Sequence, residues 1–332
     1  FVMLENPIVQ SGINAGSLPL GIAAFVSSDP QEITDKTILE YDCLFKSTNF
    51  NKCFQVQKDI ASPALSKSGA SWHFSFDTDE FLQVQSFFHT KKAVTRYFEA
   101  LTFINDFQTS ITTPIFPFSL PYDLESNQNF WFSSTGLNDQ LKVLLKCQGD
   151  HAASYNPAGQ LVCLGGNLCS DPNNCMPQNF SYAQDPSVIY HEMGHAFVQM
   201  MINSRNSLFS HKVDLGSNLF YDEAGAINEG LADYFSYVMT DRTHMGEWAI
   251  GRAFYLNGFT PQSRAMREDD AIYTGTQISL DDDSRLSYPQ YIMFDPNSPT
   301  TPLEDVHYTG QIVSHYLVSL TEKIKSTCSI DQ

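Results

Sequence analysis

Residues 187–195 read SVIYHEMGH, an apolar run that closes in His-Glu-Met-Gly-His. On a helix, His191 and His195 stand at i and i+4 and share one face. Two imidazoles at that spacing hold one Zn2+ at about 2.0–2.1 Å each. Glu192, between them, reaches a water on such a metal and takes the proton that the metal acidifies. The same letters also suit a buried helix whose histidines hydrogen-bond elsewhere, so the choice turns on a third ligand. A third histidine in the H-E-x-x-H-x-x-G-x-x-H pattern is excluded, because Val198 and Met201 occupy the glycine and histidine positions. Downstream, EAGAINEGLADYFSYVM reads as a second amphipathic helix. Glu229 lies in its apolar part beside Ile227 and Leu231, where a lone carboxylate is costly and a metal removes the cost. Asp233 follows at i+4, placed to accept an N–H from a ligating histidine.

The 332 residues suggest two domains or one large composite domain. With 42% hydrophobic and 17% charged residues the chain can bury a core. A net charge of −18 argues against nucleic acid and anionic membranes, which both reward basic surface. No apolar run reaches the roughly 18–20 residues of a transmembrane helix. The opening FVMLENPIVQ lacks a basic region and a signal-type apolar core, as expected of a mature or trimmed form or of a protein that is not secreted. The closing STCSIDQ looks arbitrary, so the natural chain is expected to continue.

Seven cysteines cluster in loop-like stretches. Cys163, Cys169 and Cys175 fall in CLGGNLCSDPNNC, with Cys147 upstream, and none shows the C-x2-C spacing of structural zinc. The pattern reads as disulfides in an oxidising compartment, which makes a secreted or otherwise extracytoplasmic setting the expectation. Cys43 and Cys53 form the first expected pair. The pairing of the others stays open, with Cys328 as the candidate odd thiol.

Residues 1–80 carry Pro, Ser and Asn punctuation and alternating pieces such as WHFSF, and read as β or irregular. From Asp79, apolar residues at Phe81, Val84, Phe87, Phe88, Val94, Phe98 and Leu101 keep helical spacing. Residues 110–165 return to strand and turn, with KVLLKC and GQLVCLGG the clearest strands. Helices are expected over 187–203, 222–240, 245–255 and 307–325. Strands first and helices later predict an α+β protein. The expected division is a β-rich N-terminal extension over 1–80 and a catalytic domain over 81–332, itself split into lobes 81–203 and 204–332.

H-E-x-x-H followed by a helix reading GAINEG-x-x-D resembles the thermolysin-like and fungalysin-like zinc peptidases, the gluzincins. AINE with an Asp four residues on is similar to thermolysin; NEG-x-x-DYF is similar to fungalysin. FLQVQSFFHTKKAV resembles the fungalysin helix that opens the catalytic region, and SYNPAGQLVCLGG the edge strand that pairs with peptide substrate. GEWAIG, SRAMRED and DVHYTGQIVSHYL resemble the thermolysin segments after the third ligand, at the Arg-x-Met stretch and at the active-site histidine. The likeness runs in order over about residues 80–325. It implies a two-lobed metallopeptidase with the active-site helix between the lobes, and one zinc per chain on His191, His195 and Glu229. It makes Glu192 the general base and proton shuttle, His307 the oxyanion stabiliser, and Arg264 a donor to a substrate carbonyl. Val188, one turn before the first ligand, is placed in the pocket after the scissile bond.

Some positions depart from that pattern. Where thermolysin has a tyrosine nine residues before the glutamate ligand, which helps to stabilise the oxyanion, this chain has Phe220, with Tyr221 next: either the loop is shifted by one residue and Tyr221 is the substrate-binding residue, or the helper is lost and His307 acts with less support. The stretch NSRNSLFSHKVDLGSNLFYDE is longer than in thermolysin and reads as an inserted loop in which His211 is exposed. Ser187 and Thr240 stand at two carboxylate positions of the thermolysin calcium site, so calcium is unsupported, and Asp281–Asp283 read as a solvated acidic loop. The expected function is that of a monomeric zinc metalloendopeptidase acting on peptides or proteins. A metal-binding protein of this fold with little turnover is one alternative. A zinc aminopeptidase is the other, although no G-x-M-E-N stretch is present to anchor a free N-terminus.

Overall fold

The computed structural model describes residues 40–42, 52–66, 74, 78–110, 141–147, 153–157, 159–165, 181–209, 222–251, 263–266, 292–295, 298–304 and 306–328. Five strands form one mixed sheet: β1 (Glu40–Asp42), β2 (Lys52–Gln57), β3 (Leu141–Leu144), β4 (Ala153–Asn156) and β5 (Leu161–Leu164), in the order β1-β2-β3-β5-β4. The pairs β2–β3 and β3–β5 are parallel, while β1–β2 and β4–β5 are antiparallel. A parallel pair needs a long crossover, and helix α1 (Asp79–Ser110) lies in the connection from β2 to β3. The sheet thus draws β1 and β2 from before residue 80 and β3 to β5 from after it, across the domain boundary expected from the sequence.

Thr78 caps α1: its Oγ accepts from Phe81 N at 3.2 Å and its carbonyl from Leu82 N at 3.1 Å. The expected apolar positions Phe81, Val84, Phe87 and Val94 are buried, and Phe87 meets Phe54 of β2 with ring centroids 5.4 Å apart. The first part of α1 is buried on its polar side too. Gln85 donates to His89 Nε2 at 3.1 Å, so His89 carries its proton on Nδ1, which lies 2.7 Å from the Tyr190 hydroxyl. This chain of hydrogen bonds fastens α1 to α2 (Pro186–Phe209), the helix that carries HEMGH.

After α2 the described chain is mainly helical, with α3 (Asp222–Thr240) and α4 (Val306–Cys328) at the positions expected. The sequence reading did not foresee two antiparallel ribbons in this half, β6 (His244–Met245) with β7 (Arg264–Ala265) and β8 (Ile292–Asp295) with β9 (Ser298–Glu304). Helix α2 also runs to Phe209, further than its expected end and into the stretch read as an inserted loop; His211 lies outside the described residues. The mixed sheet followed by a largely helical region is the α+β arrangement expected. No described helix is long and apolar enough to cross a membrane.

Cys147, just after β3, pairs with Cys163 of β5, with Cα atoms 6.0 Å apart. Cys328 is exposed and unpaired among the described residues. Cys43, and with it the expected Cys43–Cys53 bridge, lies outside the described residues.

Candidate metal centre

Two glycines bring the helices close enough to build a site. A Cβ on Gly194 of α2 would stand 2.8 Å from the Ala232 Cα of α3. A Cβ on Gly230 of α3 would stand 2.5 Å from the Gly310 carbonyl of α4. Only the absence of a side chain allows these approaches. Because Glu229 and Asp233 flank Ala232 on one face of α3, the first contact aims both carboxylates at the histidines of α2.

The Nε2 atoms of His191 and His195 lie 3.0 Å apart. Glu229 Oε2 is 3.3 Å from His191 Nε2, and Glu229 Oε1 is 3.4 Å from His195 Nε2. His191 Nδ1 lies 2.8 Å from Asp233 Oδ1, within ion-pair distance but off hydrogen-bond alignment, while its Nε2 faces Glu229. These three residues are a group that could hold a metal ion, with ligand atoms all within 4.8 Å of one another. The donor set fits zinc. Bonds of about 2.0–2.1 Å at tetrahedral angles separate donors by roughly 3.3 Å; the Nε2 pair is near that spacing, and each imidazole has a different Glu229 oxygen at about it.

The surrounding groups are buried and charged. Glu192 is 4% exposed and its Oε2 meets no hydrogen-bond partner among the described residues. Burial raises its pKa, the charges of His191, His195 and Arg264 pull against that, and Glu229 adds to it. Burial pushes Glu229 up, yet His195, His191 and His307 hold it well below the ordinary carboxylate range. Burial pushes His195 down, but Glu229 and Glu192 outweigh it and raise the pKa to about 9.

The residues expected from the resemblance fall in two places. Arg264, on β7, donates to Glu229 Oε2 at 2.9 Å and reaches Asp233 Oδ1 at 3.1 Å. One guanidinium nitrogen lies 3.1 Å from His191 Nδ1 and 3.0 Å from His191 Nε2. The side chain faces the two carboxylates on the inner side of the site. His307, at the start of α4, is 57% exposed with its Nε2 3.6 Å from Glu229 Oε1. Val188 is buried one turn before His191. Tyr221, Phe220 and Asp281–Asp283 lie outside the described residues. At the two positions compared with the calcium site, the Ser187 hydroxyl donates to Asp185 Oδ1 at 2.7 Å and the Thr240 hydroxyl to the Ser236 carbonyl at 2.8 Å.

The sequence reading missed three neighbours. Asn228 lies close enough to help raise the His195 pKa. His195 Nδ1 and Asn228 Oδ1, both buried, otherwise meet no partner at hydrogen-bond geometry among the described residues. The signal was the letter before Glu229 in the NEG triplet. Tyr182 feels the charge of Glu192, which together with burial raises its pKa. Asp185 carried only the ordinary signal of a helix start.

Residues 217–331 match the family model of the thermolysin metallopeptidase, alpha-helical domain. The match supports a thermolysin-like metallopeptidase. It covers α3 and α4, hence Glu229, Asp233, Arg264 and His307, and leaves the histidine pair of α2 to the geometry above. The thermolysin-like family implies zinc binding and protein or peptide substrates. No curated protein matches the chain.

Proposed function

We propose that the protein is a zinc-dependent endopeptidase in which His191, His195 and Glu229 hold one zinc ion and Glu192 is the general base. The observation that carries this is the convergence of two imidazole nitrogens and the Glu229 carboxylate within 4.8 Å of one another, beside the buried Glu192 carboxylate whose Oε2 has no hydrogen-bond partner among the described residues. Zinc, when bound there, acidifies a water and polarises the scissile carbonyl. Glu192 takes the water proton and delivers it to the leaving amine as the C–N bond breaks; burial, by raising its pKa, suits it to both steps. His307, exposed at the rim within 3.6 Å of a ligand carboxylate, donates to the oxyanion that develops on the carbonyl oxygen. Asp233 and Arg264 fix the His191 ring and the Glu229 carboxylate. Val188, buried below the first ligand, is assigned to the pocket after the scissile bond. An extracytoplasmic setting and a single-chain enzyme complete the reading, the former in keeping with the Cys147–Cys163 bridge.

The test is cleavage of an end-blocked peptide, with and without chelator, by the parent and by Glu192→Gln. The parent cleaves and loses activity to chelator. The variant binds one zinc per chain by metal analysis and loses several orders of magnitude in turnover, because an amide cannot take the proton. Activity retained in Glu192→Gln rules out this base. Cleavage confined to peptides with a free N-terminus makes the enzyme an aminopeptidase.

A further inference from the structure

Asp185 sits immediately before α2, is 0% exposed and meets four donors. Its Oδ1 accepts from Ser187 N at 3.1 Å and from the Ser187 hydroxyl at 2.7 Å. Its Oδ2 accepts from Trp248 N and Ala249 N, both at 3.0 Å. All four donors are neutral N–H or O–H groups. One pair belongs to the first turn of α2 and the other to the turn that begins at Gly246, some sixty residues further along the chain. A second thread runs beside it: Gly246 N donates to the Ser187 hydroxyl at 2.9 Å, and the Ser236 hydroxyl of α3 donates to the Ser187 carbonyl at 2.9 Å. The Trp248 indole N–H reaches Gln184 Oε1 at 3.4 Å.

The turn at Gly246 directly follows β6, and β6 pairs with β7, so Met245 faces Arg264. Met266 N donates to the Thr243 carbonyl at 2.7 Å and closes the other end of the ribbon. The carboxylate of Asp185 therefore joins the start of the histidine helix to the ribbon that carries Arg264, and Arg264 in turn holds Glu229 and Asp233. We infer that Asp185 is a positioning residue: a buried carboxylate that sets the Arg264 ribbon against the histidine helix and so fixes Glu229, the proposed ligand, and Asp233 beside His191. Removing an acceptor here leaves buried N–H groups facing a donor, which opens the clamp on one side. This rests on the zinc-site reading above and adds a residue that touches neither metal nor substrate.

The test is a double-mutant cycle in zinc affinity, measured by competition with a chromophoric chelator and without substrate. Asp185→Asn keeps the shape but turns one acceptor into a donor. Arg264→Lys keeps the charge but cannot span two carboxylates. Each is expected to weaken zinc about tenfold, and the double variant to lose no more than the worse single, because both act through one ribbon. Two results overturn the inference. One is parental zinc affinity in Asp185→Asn, even with a lowered melting temperature; the other is a double variant whose loss is the product of the singles. If Asp185→Asn does not fold by circular dichroism, Ser187→Ala replaces it in the cycle with a smaller expected loss, and additivity with Arg264→Lys again overturns the idea. A parent that binds zinc yet cleaves nothing defeats the peptidase reading alone, since this cycle needs no turnover.

Discussion

Gly310→Ala tests whether the packing of α4 sets the third ligand. An added Cβ would stand 2.8 Å from Glu229 Cβ, 2.9 Å from the Ala226 carbonyl and 3.0 Å from Gly230 N. Carbon atoms rest at about 3.5–4.0 Å, so α3 and α4 must part by roughly 0.5–1 Å at the residue proposed to hold the metal. Two of the three neighbours are backbone and cannot swing aside. Metal bonds tolerate only about ±0.2 Å, so zinc affinity should fall about 10–100-fold, the scale on which ligand-orienting partners act. Global stability should change less than the clash alone implies. Overpacking costs about 1–3 kcal/mol, while alanine in place of glycine inside a helix returns roughly 0.5–1 kcal/mol. The assay pairs zinc competition with thermal unfolding in chelator, using Gly159→Ala as the comparison, since a Cβ there meets only Leu161 Cβ at 3.7 Å. Parental zinc affinity and cleavage in Gly310→Ala would refute the reasoning, because α4 would then not abut Glu229 as described.

His307→Ala should lower kcat about 10²–10³-fold with zinc still bound, and Tyr221→Phe less than tenfold; the reverse order in steady-state kinetics transfers the oxyanion role to Tyr221. Burial raises the Asp79 pKa, but Lys58 at 2.7 Å and Lys146 at 3.0 Å hold it below the usual carboxylate value, so its contribution is present above the unfolded pKa and lost as pH falls through the folded one. Denaturant titrations of Asp79→Asn should accordingly lack part of the parental fall in stability below about pH 4; an unchanged acid limb counts against the Lys58–Asp79–Lys146 contact. Mass mapping without reductant should find Cys147 joined to Cys163, and Cys147→Ser should cost about 3 kcal/mol, given their sequence separation of 16. A free Cys147 thiol would remove both expectations.

The helices were legible because their signals are local. Apolar spacing placed α1, α3 and α4 nearly where they lie, and the H-E-x-x-H letters marked the face of α2. The sheet order was not legible, since β1 and β2 join β3 through pairings between residues far apart in sequence, and no periodicity encodes a partner. Strands as short as β6 and β7, two residues each, carry no pattern at all. The site divides in the same way. Glu229 and Asp233 were readable as carboxylates at i and i+4 on an apolar helix. Asp185 was not, because an Asp before Pro186 is an ordinary helix start, and its second pair of donors comes from Trp248 and Ala249.

Arg264 and His307 show how burial redistributes roles that a resemblance assigns. Both are cations near Glu229, and the likeness to thermolysin gave each a partner on the substrate. Arg264 is 11% exposed and already committed to two carboxylates, at 2.9 and 3.1 Å. To reach a substrate carbonyl it must share those donors, and withdrawing them would leave a buried carboxylate short of a partner, a loss on the order of 1–3 kcal/mol or more. His307 is 57% exposed and its nearest ligand oxygen is 3.6 Å away, too far for a committed hydrogen bond. Its place at the rim leaves it within reach of an oxyanion that develops beside Glu229. On the proposed reading Arg264 orders the ligands and His307 meets the reacting oxygen. For that reason His307→Ala should act on kcat with the metal retained, whereas Arg264→Lys should show first in zinc affinity.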